Sequence, residues 1–343
     1  MKIAMICGKP GIACGIADYT GHLVSNLQMA SVQVHPLAVQ TWDLLKSPSL
    51  LRQALSLKVD AIHIQYPAAV YGKGLAPQGL ALLSAAYKIP VVVTVHEFSQ
   101  THVLRRLAIA PFSFADALIF TNHFEMEVFS RRFSWSQSKS NLAPVGSSVP
   151  YLKSMNRNDL EVVYFGLIRP NKGIEIFLDL AAISQSAGQP FKFLLIGSPQ
   201  IGERDYFDRI QNRLDMLSNA RLESELNSEQ VAQHMSLATF AYFPFPDGAS
   251  ERRTSLLAAM GNGLLVLTTS GKHSPPDLEQ AVRFVRSPEE AFRQIQMLSE
   301  SVQVREALQR ESLNFVKRFS WESITEKHIQ IYASLISKGK MRS

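Results

Sequence analysis

The stretch DGASERRTSLLAAMGNGLLVLTTS, Asp247 to Ser270, gathers Asp247, Ser250, Glu251, Arg252, Arg253, Thr254 and Ser255 ahead of a short apolar run. It reads as a polar turn, a short helix stopped by Gly261–Gly263, and a buried strand, with Thr254 or Ser255 capping the helix. Cations at a helix amino terminus oppose the macrodipole. Arg253 beside unpaired backbone N–H groups therefore points to a bound phosphate. Asp247 adds an acceptor for sugar hydroxyls. The plainer alternative is a capped, buried helix with solvated arginines.

The same logic applies to YFGLIRPNKGIEIF, Tyr164 to Phe177. A strand ends at Gly166, Arg169 and Lys172 project from a short loop, and Gly173 opens a helix. Two cations, a glycine and a helix mouth make a diphosphate clamp. A third junction, VVVTVHEFSQ, puts His96 and Glu97 directly after a hydrophobic strand, where an imidazole can donate or accept near neutral pH. The first junction, CGKPGIACGIADYT, supplies Gly8, Gly11 and Gly15 before a helix carrying Asp18. It does not match G-x-G-x-x-G, so no dinucleotide cofactor is expected.

The elements that must position these residues alternate in type. Strand candidates are Lys2–Cys7, Val32–Ala38, Val59–Ile64, Pro90–Val95 and Asp116–Thr121, then Glu161–Gly166, Lys192–Gly197, Thr239–Phe245, Gly263–Thr269 and Ala281–Val285. They are nearly continuous in aliphatic residues, as strands buried on both faces should be. Helical stretches such as Ile16–Leu27 and Pro77–Tyr87 lie between them. The alternation predicts an α/β fold of two doubly wound, Rossmann-like domains with parallel sheets. Ser147–Asp159, polar and carrying Pro150, reads as the linker, and Ser320–Ile336 as a closing helix. In such sheets ligands bind beyond the carboxyl ends of the strands, where all four junctions lie.

Composition narrows the classes. The chain has 343 residues, 46% of them hydrophobic and 19% charged, in the ordinary globular range. No apolar run reaches transmembrane length and no signal peptide is apparent. Cys7 and Cys14 are the only cysteines and lack metal spacing. A cytoplasmic location is the expectation. Residues 1–150 hold 12 Lys and Arg against 7 Asp and Glu, so most of the net +6 lies in the first half. That excess reads as solvated helix faces or as a surface for an anionic partner such as membrane lipid. Nucleic acid is not expected, because no nucleic-acid-binding signature accompanies the charge.

In order along the chain, CGIADYT, His96, FGLIRPNKG, SLLAAMGNGLLV and FSWE make the sequence resemble retaining glycosyltransferases of the GT-B fold, in the large family four. The resemblance implies two Rossmann-like domains facing a cleft: residues 1–150 on the acceptor side, residues 157–319 binding the nucleotide-sugar, and residues 320–343 packing back on the first domain. It also implies that Arg169, Lys172, Thr254, Ser255 and Gly15 hold the donor diphosphate, and that His96 reaches toward the donor sugar. The family's paired glutamates are absent: the second position is Ala258, the first falls at Ser250 beside Glu251, and Asp247, Ser250 or Glu251 stands in. The family's arginine after the turn glycine is Leu167, which leaves that charge to Arg169.

The function implied is transfer of a sugar from a nucleotide-diphosphate sugar to an acceptor hydroxyl with retention. No cofactor and no metal are expected, since no Asp-x-Asp occurs and cations take the metal's part. Two other readings remain: a sugar-nucleotide epimerase of the same fold, or a binding protein on a decayed transferase fold. A lipid-linked or anionic glycan acceptor is compatible with the basic first half. So is peripheral contact with the inner membrane face through Val103–Phe114.

Overall fold

The computed structural model describes residues 1–7, 15–99, 101–102, 105–106, 108–152 and 157–341. Contacts divide the chain into two units, residues 1–146 with 320–343, and residues 147–319. Each holds one six-stranded sheet, and every strand pairing is parallel. The α/β expectation is thus met.

Unit 1 contains β1 (Lys2–Ile6), α1 (Gly15–Met29), β2 (Gln33–Leu37), α2 (Ser47–Ser56), β3 (Ala61–Tyr66), α3 (Ala76–Ala86), β4 (Val91–Val95), β5 (Ala117–Phe120), α4 (His123–Arg132) and β6 (Ser140–Leu142). Its sheet runs β2-β1-β3-β4-β5-β6. Alternate residues of each strand serve different cores. Ala4, Ile6, Ile62, Ile64, Val93 and Val95 face one side, while Ile3, Met5, Ala61 and Val92 face the other with Tyr19 and Leu23 of α1. Parallel strands are covered on both faces for this reason.

Unit 2 contains β7 (Asn158–Phe165), α5 (Ile174–Ser186), β8 (Lys192–Ile196), α6 (Arg204–Leu214), β9 (Ala220–Glu223), α7 (Ser228–Leu237), β10 (Ala238–Phe243), α8 (Thr254–Gly261), β11 (Leu265–Thr268), α9 (Leu278–Ala281), β12 (Arg283–Phe284), α10 (Pro288–Glu300) and α11 (Val302–Val316). Its sheet runs β12-β11-β10-β7-β8-β9. The chain then enters α12 (Trp321–Met341), which packs on α1 in unit 1 and buries Ile324 and Tyr332 there.

Two short strands escape the sequence reading. β6 is three residues of mixed polarity paired only to β5, and β9 is an edge strand of sequence ARLE. Neither carries an apolar run, because an edge has one partner and open solvent. Conversely, the expected strand over Gly263–Thr269 begins only at Leu265, since Gly263 has φ +76° and ends α8. The linker reading over Ser147–Asp159 also changes. Leu152 N donates to Asn262 Oδ1 at 2.9 Å, and β7 already begins at Asn158. Residues 153–156 lie outside the described residues.

Candidate functional site

In unit 2 the strand order reverses at β7: β8 and β9 lie to one side, and β10 and β11 to the other. Loops leaving β7 and β10 diverge there, which is where doubly wound sheets open a ligand crevice. The two junctions singled out from sequence, residues 166–173 and 244–253, are those loops.

The first loop is held from below. Tyr164, 1% exposed, donates its hydroxyl to the Lys172 carbonyl at 2.8 Å. Gly166 N donates to Ile196 O at 3.0 Å, and Ile168 N to Ser198 O at 2.9 Å, so the chain follows β8 before turning. Asn171 and Gly173 are both left-handed, at φ +61° and +78°. Glycine is required at 173 twice over, because a Cβ there would lie 2.0 Å from the Pro244 carbonyl oxygen. That close approach sets the first loop directly against the start of the second.

The second loop is braced by the segment after β11. Ala249 N donates to Thr269 O at 2.8 Å, and Ser274 Oγ to Ala249 O at 2.6 Å. Gly248, at φ +86°, abuts the Gly271 backbone. Arg253 then caps α8 by position only: its side chain makes no capping bond. This corrects the expected caps, for Thr254 and Ser255 are the first two residues inside the helix. Their N–H groups, with that of Leu256, have no carbonyl partner within the helix. Thr254 is exposed and Ser255 half-buried.

The Arg253 side chain lies over the Phe245 ring, 4.5 Å from its centroid, and pairs with Asp247. Phe245 stacks in turn on Phe243, with centroids 5.6 Å apart. Arg253 is thereby steered toward the first loop. The Lys172 ammonium has a pKa below its usual value. Burial is the first cause, the positive charges of Arg169 and Arg253 follow, and Asp247 partly opposes them. Three cations from two loops thus share one neighbourhood with one exposed carboxylate. Such crowding is unfavourable in the empty protein and is relieved by an anion.

Other expected residues fall elsewhere. Glu251 is engaged by Arg318 at 3.2 Å, and Arg318 also binds Asp277 at 2.5 Å. Ser250 gives its carbonyl to Arg253 N at 3.0 Å and is half-buried. Ala258 is fully buried in the unit 2 core, so no polar group stands at that position. In unit 1, Gly15 opens α1, and a Cβ there would meet nothing within 4 Å, so packing does not demand glycine. Gly8 and Gly11 lie outside the described residues.

His96 follows β4 and is 6% exposed. Its Nε2 lies 2.8 Å from Gln65 Oε1, and its ring meets Tyr19 edge-on at 5.0 Å. Burial, then the neighbouring His328, pushes its pKa down to about 3, so the ring is neutral at pH 7. Sequence reasoning missed Tyr164, Phe245 and Gln65. The alternation of polar and apolar residues in AIHIQY marked His63 and Gln65 as one strand face, which was the available signal.

Part of the basic first half is engaged within its own unit. Arg106 donates to Thr101 O and Ser99 O at 3.0 and 2.6 Å and covers the Phe98 ring. Arg131 pairs with Glu127. Within Val103–Phe114, residues 103, 104 and 107 lie outside the described residues, while Phe114 is exposed. Among the described residues, no helix is long and apolar enough to cross a membrane, and no group of three or more His, Cys, Asp or Glu is placed to hold a metal.

No family model and no curated protein matches the sequence. Solved structures do match by shape. Anabaena HepE in complex with UDP superposes with TM-score 0.70 at 16% identity, covering 97% of this chain and all of HepE. A glycosyltransferase from Rickettsia africae gives TM-score 0.71 at 10% identity, covering 98% of each chain. The pneumococcal O-GlcNAc transferase GtfA, in complex with UDP and GlcNAc, gives 0.55 at 14% identity, over 84% of this chain and 60% of GtfA. These neighbours are GT-B glycosyltransferases, and the likeness establishes that fold.

Proposed function

We propose that this protein transfers a sugar from a nucleotide-diphosphate sugar to an acceptor hydroxyl, retaining anomeric configuration and using no metal ion. The observation that carries the reading is the convergence of Lys172, Arg169 and Arg253 at the switch point of unit 2. A diphosphate is the anion that satisfies three cations and a helix mouth together. The complexes of HepE and GtfA with UDP support the same ligand class.

As the glycosidic bond breaks, negative charge builds on the β-phosphate. Lys172, Arg169 and the N–H groups of Thr254 and Ser255 stabilise that charge, with no reorganisation at the moment of reaction. The same cations stand in for a divalent ion. Arg253, already tied to Asp247 and Phe245, orients the loop and shares the phosphate. Asp247, 72% exposed along its side chain, and Ser250 serve as sugar-facing acceptors. Glu251 anchors the loop through Arg318 instead. Within unit 1, His96 is assigned to a sugar hydroxyl and Gly15 to close backbone approach by an anion. Retention is assigned to a front-side displacement in which the leaving phosphate helps deprotonate the acceptor. The protein acts on the cytoplasmic side, and the net positive charge of residues 1–150 is compatible with a lipid-linked or anionic glycan as acceptor.

The test is calorimetric titration with UDP, GDP, ADP and dTDP in the presence of EDTA, followed by donor turnover with candidate acceptors. Tight binding of one diphosphate, lost in Lys172→Ala and Arg169→Ala, is the expected result. Binding of none of the four, or binding unchanged in both variants, refutes the reading.

A further inference from the structure

A row of polar side chains runs through the apolar interior of unit 1 and ends at His96. His63, Gln65 and Thr94 are wholly buried in β3 and β4, which lie in register as His63↔Val92 and Gln65↔Thr94. Polar groups at such depth cost several kcal/mol each unless paired, about 2–7 by transfer measurements. Here they pair with one another. His63 Nδ1 lies 2.6 Å from the Tyr332 hydroxyl of α12. His63 Nε2 lies 2.7 Å from Thr94 Oγ1 and 3.2 Å from Gln65 Nε2. Gln65 Oε1 then faces His96 Nε2 at 2.8 Å.

The direction of every proton in this row follows from one contact. Gln65 Nε2 lies 3.5 Å from Met5 Sδ. A thioether accepts and has nothing to donate, so the carboxamide nitrogen, not its oxygen, belongs on that side. The other N–H of that nitrogen points at His63 Nε2, so the Thr94 hydroxyl, 2.7 Å from the same ring nitrogen, must donate to it as well. His63 Nε2 is therefore bare, and His63 Nδ1 carries the proton given to Tyr332 Oη. At the other end the carboxamide oxygen faces His96 Nε2, which must donate. His96 is neutral, so its single N–H is spent there.

We propose that Gln65 is a positioning residue whose carboxamide, oriented by Met5 and His63, fixes His96 as the Nε2–H tautomer and leaves Nδ1 as the acceptor for a hydroxyl of the donor sugar. The tautomer follows from the row of hydrogen bonds together with the neutrality of the buried ring; the sugar hydroxyl rests on the glycosyl-transfer reading above. Through His63 and Tyr332 the same row makes His96 orientation depend on α12 being docked. A second-layer hydrogen bond that selects a histidine tautomer is a general device at functional sites.

The experiment is nitrogen-15 NMR of the full chain labelled at histidine, without ligand, with His96 signals assigned by their loss in His96→Gln. A protonated Nε2 and bare Nδ1 at His96, with the reverse at His63, is the expected pattern. Gln65→Met keeps the length but removes both partners, and His96 then shows averaged signals from both tautomers. Gln65→Glu restores the acceptor and keeps Nε2 protonated. A wild-type His96 protonated at Nδ1, or His96 signals unchanged in Gln65→Met, overturns the assignment, and the wild-type spectrum decides even where a variant fails to fold. In turnover, Gln65→Met raises donor KM about tenfold, the worth of one hydrogen bond, with a smaller effect on kcat. An unchanged KM in a variant that has lost the fixed tautomer overturns the sugar-hydroxyl role. The expected NMR pattern without any nucleotide-sugar turnover sinks the transferase reading while the positioning role of Gln65 stands.

Discussion

Replacing Lys172 by methionine should move stability and ligand binding in opposite directions. The ammonium sits half-buried beside Arg169 and Arg253, and Asp247 partly opposes the repulsion. Methionine keeps the aliphatic length and removes the charge, so the empty protein loses one unfavourable contact. The gain is about 0.5–1 kcal/mol, typical of relieving a poorly placed charge. For a unit of this size that is a rise in Tm of about 1–4 °C. With a nucleoside diphosphate the sign reverses. Losing one charge-assisted donor to phosphate raises Kd about a hundredfold. At a UDP concentration of about 100 Kd the parent gains about 2.7 kcal/mol, whereas the variant at the same concentration gains only about 0.4. Thermal melts of both proteins, with and without UDP, read out all four numbers. A variant that melts lower than the parent when empty and gains as much from UDP would show that Lys172 is an ordinary structural lysine.

Three further outcomes follow from the same geometry. Gly173→Ala should cost at least about 2 kcal/mol, because the left-handed backbone and the Pro244 carbonyl both exclude a Cβ; a urea midpoint within error of the parent refutes the packing argument. Arg318→Ala should cost about 1–2 kcal/mol by unpairing Glu251 and Asp277 and uncovering Phe315, 4.2 Å from the guanidinium, whereas Glu251→Gln should leave donor KM nearly unchanged; a large rise in KM for Glu251→Gln would return that carboxylate to the sugar site. Unit 1 should lose stability in mild acid. Burial holds His63, His96 and His328 neutral, with pKa lowered to about 3 for His96 and about 4 for His328. The unfolded chain binds protons on these rings below about pH 6.5 while the folded unit refuses them, so stability is full above pH 6.5. It falls toward pH 4 by up to about 1.4 kcal/mol per pH unit for each ring. Chemical denaturation of the parent and of His63→Gln between pH 7.5 and 5 measures this, and a flat profile in the parent would contradict it.

The sequence by itself determined the layers. Aliphatic runs such as VVVTV and FLLI are buried on both faces wherever they go, so two parallel sheets with covering helices were legible from period and length alone. It also marked Arg169, Lys172 and Arg253, because cations before a helix contradict the local dipole and call for an outside partner. What only the tertiary structure decided is which loops meet. β10 lies between β11 and β7 although 72 residues separate Phe165 from Ala238, and nothing in local periodicity selects β7 over β8 or β9 as that second neighbour. That pairing brings Pro244 against Gly173 and turns Arg253 toward Lys172. The same holds in unit 1, where Tyr332 reaches His63 across 269 residues. A buried histidine in a strand announces that it needs a partner, but only the packing of α12 on the sheet supplies one. Hydrogen-bond demand is written locally, and its satisfaction is settled by contacts that chain order does not encode.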